Sequence, residues 1–143
     1  MVRDDGVNDR VHFLGARDDV PNILRGSDIF ALTSRSEGMP AVVIEAGMAG
    51  LPTVAYDVGA VAEVVQDGTT GFVVDNADLE DFRSRMAKLI ECPDLRRAMG
   101  DNAQLLCQQR FDMDTVANQY QEFLVDLMGK GPISGYSAIT PVR

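Results

Sequence analysis

Four short apolar runs restrict this chain more than any other feature: Val11-His12-Phe13-Leu14, Ile29 to Thr33, Thr53 to Tyr56 and Gly71 to Val74. Each is too short for a buried helix. Each is continuous rather than alternating, the pattern of parallel strands covered on both faces. Parallel strands need crossover connections, usually helical. Helical patterns fill the gaps: Pro21 can open a short helix through Arg25, Pro40 can open one carrying Glu45, and Val61 to Val65 reads as a third. The rhythm is βαβα, so the predicted fold class is α/β.

Beyond Val74 the pattern is helical only. Asp78 is placed to cap a helix whose apolar face is Leu79, Phe82, Met86, Leu89 and Ile90. Asp94 is placed to cap a second, with Leu95, Ala98, Met99 and Leu106 inward. Asp112 is placed to cap a third, where Phe111 and Val116 have the spacing of a hydrophobic staple and Val116, Tyr120, Phe123, Leu124 and Leu127 form the stripe. From Gly129 onward, turn residues without periodicity predict a flexible tail over 129–143.

The length of 143 residues fits one domain with a core of its own. A net charge of −9 argues against nucleic acid or an anionic membrane as partner, since both require basic patches. The charged start Met1-Val2-Arg3-Asp4-Asp5 has no signal-peptide pattern, and no run approaches the roughly 18 apolar residues of a membrane span. Cys92 and Cys107 lack metal-ligand spacing and are expected as free thiols in a reducing cytoplasm. His12, the sole histidine, is expected as a packed strand residue.

Chemistry concentrates in Ser36-Glu37-Gly38-Met39-Pro40-Ala41-Val42-Val43-Ile44-Glu45-Ala46-Gly47-Met48-Ala49-Gly50. The second strand ends near Thr33 and the helix is expected to begin at Pro40, so the loop lies at the carboxyl end of a parallel strand and at a helix N-terminus. Open α/β sheets bind ligands at that edge. First-turn N–H groups are unpaired and favour an anion such as a diphosphate. Pro40 removes one donor, Met39, Ala41 and Val42 keep theirs, and Gly38 permits close approach of a ligand. Glu37 sits at the mouth; Glu45 lies about 8 Å along the helix. Two carboxylates so placed suit the paired hydroxyls of a sugar and a ribose. The spacing equally allows Glu45 to lie on an exposed stripe or to pair with an arginine. Arg35 can neutralise a phosphate or pair with Glu37. Asp57, Gly59 and Glu63 follow the third apolar run on the same edge, as a turn with a helix start or as lining of the site.

The order "VHFLG … DDVPNIL … SDIFALTSRSEGMPAVVIEAGMAGLPTVAYDVGAVAEVV … DGTTGFVV" resembles the C-terminal, donor-binding domain of retaining glycosyltransferases of family 4, which have the GT-B fold. The likeness runs from about Val11 to Met128 and rests on Glu-x7-Glu, Glu37 to Glu45, within its frame of Ser34, Gly50-Leu51-Pro52, Gly59 with Glu63, and Asp67-Gly68. The resemblance implies an incomplete Rossmann-like domain over 1–128, mostly parallel strands with helices on both faces, followed by a C-terminal run of helices. It implies that Glu37 contacts the sugar as the catalytic-site carboxylate. It further implies that the N–H groups of Gly38, Met39, Ala41 and Val42, around Pro40, face the sugar and diphosphate. Glu45 would hold the ribose, Gly15, Ala16 and Arg17 would border the nucleobase, and Ser34 and Arg35 would complete the lining. The implied partner is a nucleotide-diphosphate sugar, with no metal and no other cofactor.

The family's diphosphate-holding arginine and lysine lie upstream of the "VHFLG" strand, where this sequence has no counterpart; its only lysines are Lys88 and Lys130. The resemblance therefore implies a fragment without its N-terminal acceptor domain, inactive in transfer alone and exposing sheet surface that invites self-association. The alternative is a non-catalytic nucleotide-binding or interaction domain derived from such an enzyme.

Overall fold

The computed structural model describes residues 10–129. The elements run α1 (Val20–Arg25), β1 (Phe30–Leu32), α2 (Ala41–Met48), β2 (Thr53–Tyr56), α3 (Val61–Val64), β3 (Gly71–Val74), α4 (Leu79–Glu91), α5 (Pro93–Phe111) and α6 (Met113–Gly129). The sheet has three strands in the order β1-β2-β3, all parallel, with Phe30 opposite Thr53 and Thr53 opposite Gly71. Every β2 residue is buried, as its unbroken apolar run requires. Successive side chains of a strand face opposite ways. Tyr56 meets Phe82 of α4 with ring centroids 5.1 Å apart, while Thr53 borders Val43 and Gly47 of α2 and Ala103 and Cys107 of α5. Helices thus cover both faces.

The run Val11–Leu14 is not a strand. It is irregular, with Phe13 80% and Leu14 54% exposed, and His12 is exposed rather than packed. β1 is hydrogen-bonded to β2 on one side only. A strand is defined by its ladder, and an apolar run that reaches no partner leaves its backbone to water.

The α5 helix begins at Pro93 with Cys92 at the N-cap, not with Asp94 as cap. Proline's fixed φ suits the first turn and shifts the start upstream, leaving Asp94 inside that turn. Asp78 caps α4 as expected, accepting from Asp81 N–H at 3.0 Å. Ile90 and Ala98 are exposed, while Met99, Gly100, Ala103 and Cys107 are buried. The α6 stripe buries no residue, leaving Tyr120 64% and Phe123 57% exposed. Gly129 closes α6; the rest of the predicted tail lies outside the described residues.

The α5 helix is the spine that seats the other elements. Gly47 of α2 lies against Cys107, so closely that a Cβ there would overlap the sulfur. Gly100 lies equally close to the carbonyl oxygen of Gly50. Gln104 donates to the Met48 carbonyl at 3.0 Å, Arg110 to the Glu63 carbonyl at 2.8 Å and Asn102 to the Thr69 carbonyl at 3.2 Å. Three polar side chains of one helix thus satisfy the end of α2, the end of α3 and the turn before β3, where orphan carbonyls would otherwise stand.

Candidate functional site

Residues 33–40 carry the chain from the carboxyl end of β1 to the start of α2. Pro40 is buried and is the N-cap, with extended backbone (φ −75°, ψ 101°), and no side chain caps the helix. The helix therefore starts one residue later than the sequence predicts. The proline's missing N–H falls outside the first turn, and the N–H groups of Ala41 and Val42 remain the helix's uncapped donors. Val43 N–H closes the first turn onto the Pro40 carbonyl at 3.0 Å. Gly38 and Met39 are exposed, while Glu37 and Ser34 are half-buried.

Glu45 is exposed. It lies one turn above Ala41 on the outward face, about 6 Å up the axis, while Val43, Ala46 and Gly47 turn inward. The apolar run around it is thus the buried side of one helix, and the carboxylate breaks it because it occupies the other side. Glu45 lines a cavity of about 310 Å³ with Pro21, Leu24 and Arg25 of α1, Ile44, Met48 and Phe111. Glu37 is not part of that lining. The structure thus brings Glu45 to α1 and leaves Glu37 in the loop. Neither side chain, nor that of Arg35, has a hydrogen-bond or ion-pair partner among the described residues. Arg35 is exposed and does not pair with Glu37.

Gly15 (φ +67°) begins the segment expected beside the base. Gly15, Ala16 and Arg17 are exposed. Arg17 forms a two-pronged pair with Asp19, Nε and Nη2 each 2.7 Å from a carboxylate oxygen. Asp19 is the N-cap of α1 but caps with no side-chain bond, because its carboxylate serves Arg17. That hydrogen-bonded pairing raises the Arg17 pKa and holds the Asp19 carboxyl below the usual carboxylate range. The free thiols differ: Cys92 is exposed, whereas burial pushes the Cys107 thiol up, opposed in part by Arg110. Among the described residues no group of His, Cys, Asp and Glu is arranged to hold a metal, and no helix is long and apolar enough to cross a membrane.

The turn after β2 touches the loop directly. Ala60 N–H donates to the Gly38 carbonyl at 2.8 Å, and Gly59 packs against the carbonyls of Glu37 and Gly38. Sequence reasoning left Gly59 between turn and lining. Its presence beside Ala60 in Asp57-Val58-Gly59-Ala60 signals a tight turn but not what the turn meets.

The family model described as glycosyl transferases group 1 matches residues 1–106. Among curated relatives, N-acetyl-alpha-D-glucosaminyl L-malate synthase of Bacillus anthracis is 30% identical over 128 residues, 90% of this chain and 34% of that protein. D-inositol 3-phosphate glycosyltransferase of Corynebacterium kroppenstedtii is 34% identical over 134 residues, 92% of this chain and 30% of that protein. The chain spans about a third of the length of these relatives. Among solved structures, HepE of Anabaena in complex with UDP superposes with a TM-score of 0.81 at 33% identity, over 85% of this chain and 34% of its own. The same protein in complex with UDP-glucose gives 0.79.

Proposed function

The chain belongs to the group 1 glycosyl transferases, and from that premise we propose that it is the C-terminal donor-binding domain of a retaining, family 4 enzyme of GT-B fold. Its ligand is a nucleotide-diphosphate sugar. The observation that carries the proposal is the loop at 33–40, which joins the carboxyl end of β1 to an uncapped helix start and carries Glu37 half-buried beside it. The diphosphate lies on the N–H groups of Gly38, Met39, Ala41 and Val42, where the helix dipole favours negative charge. Glu37 accepts hydrogen bonds from the sugar, and Glu45 from the ribose. Gly15, Ala16 and Arg17 border the base, and Ser34 and Arg35 line the phosphate side. The exposed Arg35 guanidinium, without a partner among the described residues, suits that role. The relatives' names and the UDP and UDP-glucose complexes of HepE support the ligand class.

In the complete enzyme an N-terminal half supplies the acceptor. The bond from the anomeric carbon to the diphosphate breaks, a new bond forms to the oxygen of an acceptor hydroxyl with retained configuration, and the nucleoside diphosphate leaves, its freed oxygen taking up the hydroxyl proton. Protein donors, rather than a metal or other cofactor, stabilise the leaving group. A cytoplasmic location and self-association through the open β1 edge and the α6 stripe belong to the same proposal; the free thiols and the exposed apolar side chains support them.

The test is calorimetric titration of UDP-, GDP- and ADP-sugars into the 143-residue chain. One nucleotide is expected to bind. Hydrogen bonds to a charged group contribute about 1.5–3 kcal/mol, so Glu37→Gln and Glu45→Gln are each expected to weaken it roughly ten- to a hundredfold. Glu37→Gln should do so for the sugar-nucleotide alone, and Glu45→Gln for the nucleoside diphosphate as well. Unchanged affinity in both variants refutes the assignment.

A further inference from the structure

The turn after β2 does more than connect. Gly59 has φ +56°, and a Cβ built on it would meet the Glu37 oxygen, the Gly38 oxygen and the Glu37 carbonyl carbon. All three are backbone atoms, so no rotamer change relieves the overlap. The Glu37 oxygen lies nearer that position than its own carbon does, so this carbonyl points at Gly59. The Gly38 carbonyl accepts from Ala60 N–H at 2.8 Å. Two successive carbonyls of the site loop are therefore turned into the β2–α3 turn.

Peptide planarity fixes the consequence. In a trans peptide the N–H points opposite to the C=O of the same unit. With the Glu37 and Gly38 carbonyls directed at Gly59 and Ala60, the N–H groups of Gly38 and Met39 point away from that turn. Gly38 and Met39 are both exposed, and a Cβ on Gly38 would meet nothing within 4 Å. Two adjacent N–H groups held outward beside an uncapped helix start form a concavity suited to an anion.

We infer that Gly59 is a positioning residue for the donor diphosphate: lacking a Cβ, it lets the β2–α3 turn hold the Glu37 and Gly38 carbonyls and so presents the Gly38 and Met39 N–H groups to the phosphates. This rests on the donor-site reading above and adds to it a residue that touches no ligand.

Gly59→Ala tests the inference, with Gly68→Ala as its control. Gly68 also has a positive φ, +72°, but a Cβ there meets nothing within 4 Å, so the control carries the backbone strain without the contact. UDP, GDP and ADP are titrated into the isotope-labelled 143-residue chain, with affinity and the Gly38 and Met39 amide shifts followed together. In the unaltered chain the two amides are expected to move on binding. Gly59→Ala is expected to lose tenfold or more in diphosphate affinity, and Gly68→Ala to stay within twofold of the parent. Parental affinity in a folded Gly59→Ala chain overturns the inference and leaves the donor site standing. Failure of the unaltered chain to bind any of the three overturns both. Should Gly59→Ala not fold, the unaltered chain still decides. A scalar coupling across the Ala60–Gly38 hydrogen bond must be present and survive nucleotide binding, and either amide failing to shift overturns the inference.

Discussion

Replacing Gly47 by alanine probes the contact that seats α2, and with it the helix start at the proposed donor site. The new Cβ would overlap Cys107 Sγ, which belongs to a residue only 1% exposed. Overpacking of this kind costs about 1–3 kcal/mol. Against it, alanine is favoured over glycine inside a helix by about 1 kcal/mol. The net expectation for Gly47→Ala is a loss of about 1 kcal/mol, or roughly 4 °C in Tm at this chain length. Cys107→Ala removes the sulfur and leaves a small void, again a loss of about 1 kcal/mol. Combined, the two changes should compensate. The methyl introduced by Gly47→Ala enters the space the sulfur left, and its remaining neighbours, Ala103 O and Cys107 Cβ, are at an ordinary 3.5 Å. The double variant should therefore melt near the parent, a coupling of about 2 kcal/mol, within the range known for residues in contact. Urea and thermal unfolding of the four chains, followed by circular dichroism, measure the cycle. Losses that add to within about 0.5 kcal/mol would refute the close α2–α5 approach, because independent sites behave that way.

A helix cap and a surface ion pair each have a measurable consequence. Asp78→Ala removes the oxygen that accepts from Asp81 N–H at 3.0 Å, so chemical denaturation should show a loss of about 1 kcal/mol, and Asp78→Asn should recover most of it. Asp19 is held below the ordinary carboxylate value chiefly by its hydrogen bond to Arg17, so its contribution is present above the unfolded-state pKa and disappears as pH falls through the lowered folded-state value. A carboxyl-detected NMR titration should show the Asp19 midpoint rising in Arg17→Ala relative to the parent chain, and an unmoved midpoint would refute the assignment.

The Glu37–Glu45 segment and its frame were legible without coordinates, because strand ends, a proline-led helix and glycine positions are local signals. The Val11–Leu14 run was misread because a strand is not a local object. Its apolar run satisfied every local criterion, yet pairing depends on a neighbour that the segment does not reach. The start of α5 was displaced by one competing local signal over another, the Pro93 ring over the Asp94 cap. The role of Glu45 divided in the same way. Its spacing placed it on the helix, but only packing chose the face, exposed and turned toward the cavity beside α1.

By itself, then, the sequence determined the order of elements from Val20 onward, the parallel strands at β1, β2 and β3, and the loop-to-helix junction carrying Glu37, since each follows from the apolar period, the turn residues and backbone stereochemistry. Only the tertiary structure decided how that junction is held. Gly59 and Ala60 meet the Glu37–Gly38 backbone across about twenty residues of chain, and α5 grips α2 through Gly47, Cys107 and Gln104 over more than fifty. Such contacts are set by which small residues fall opposite one another once the layers close, and no periodicity along the chain encodes that.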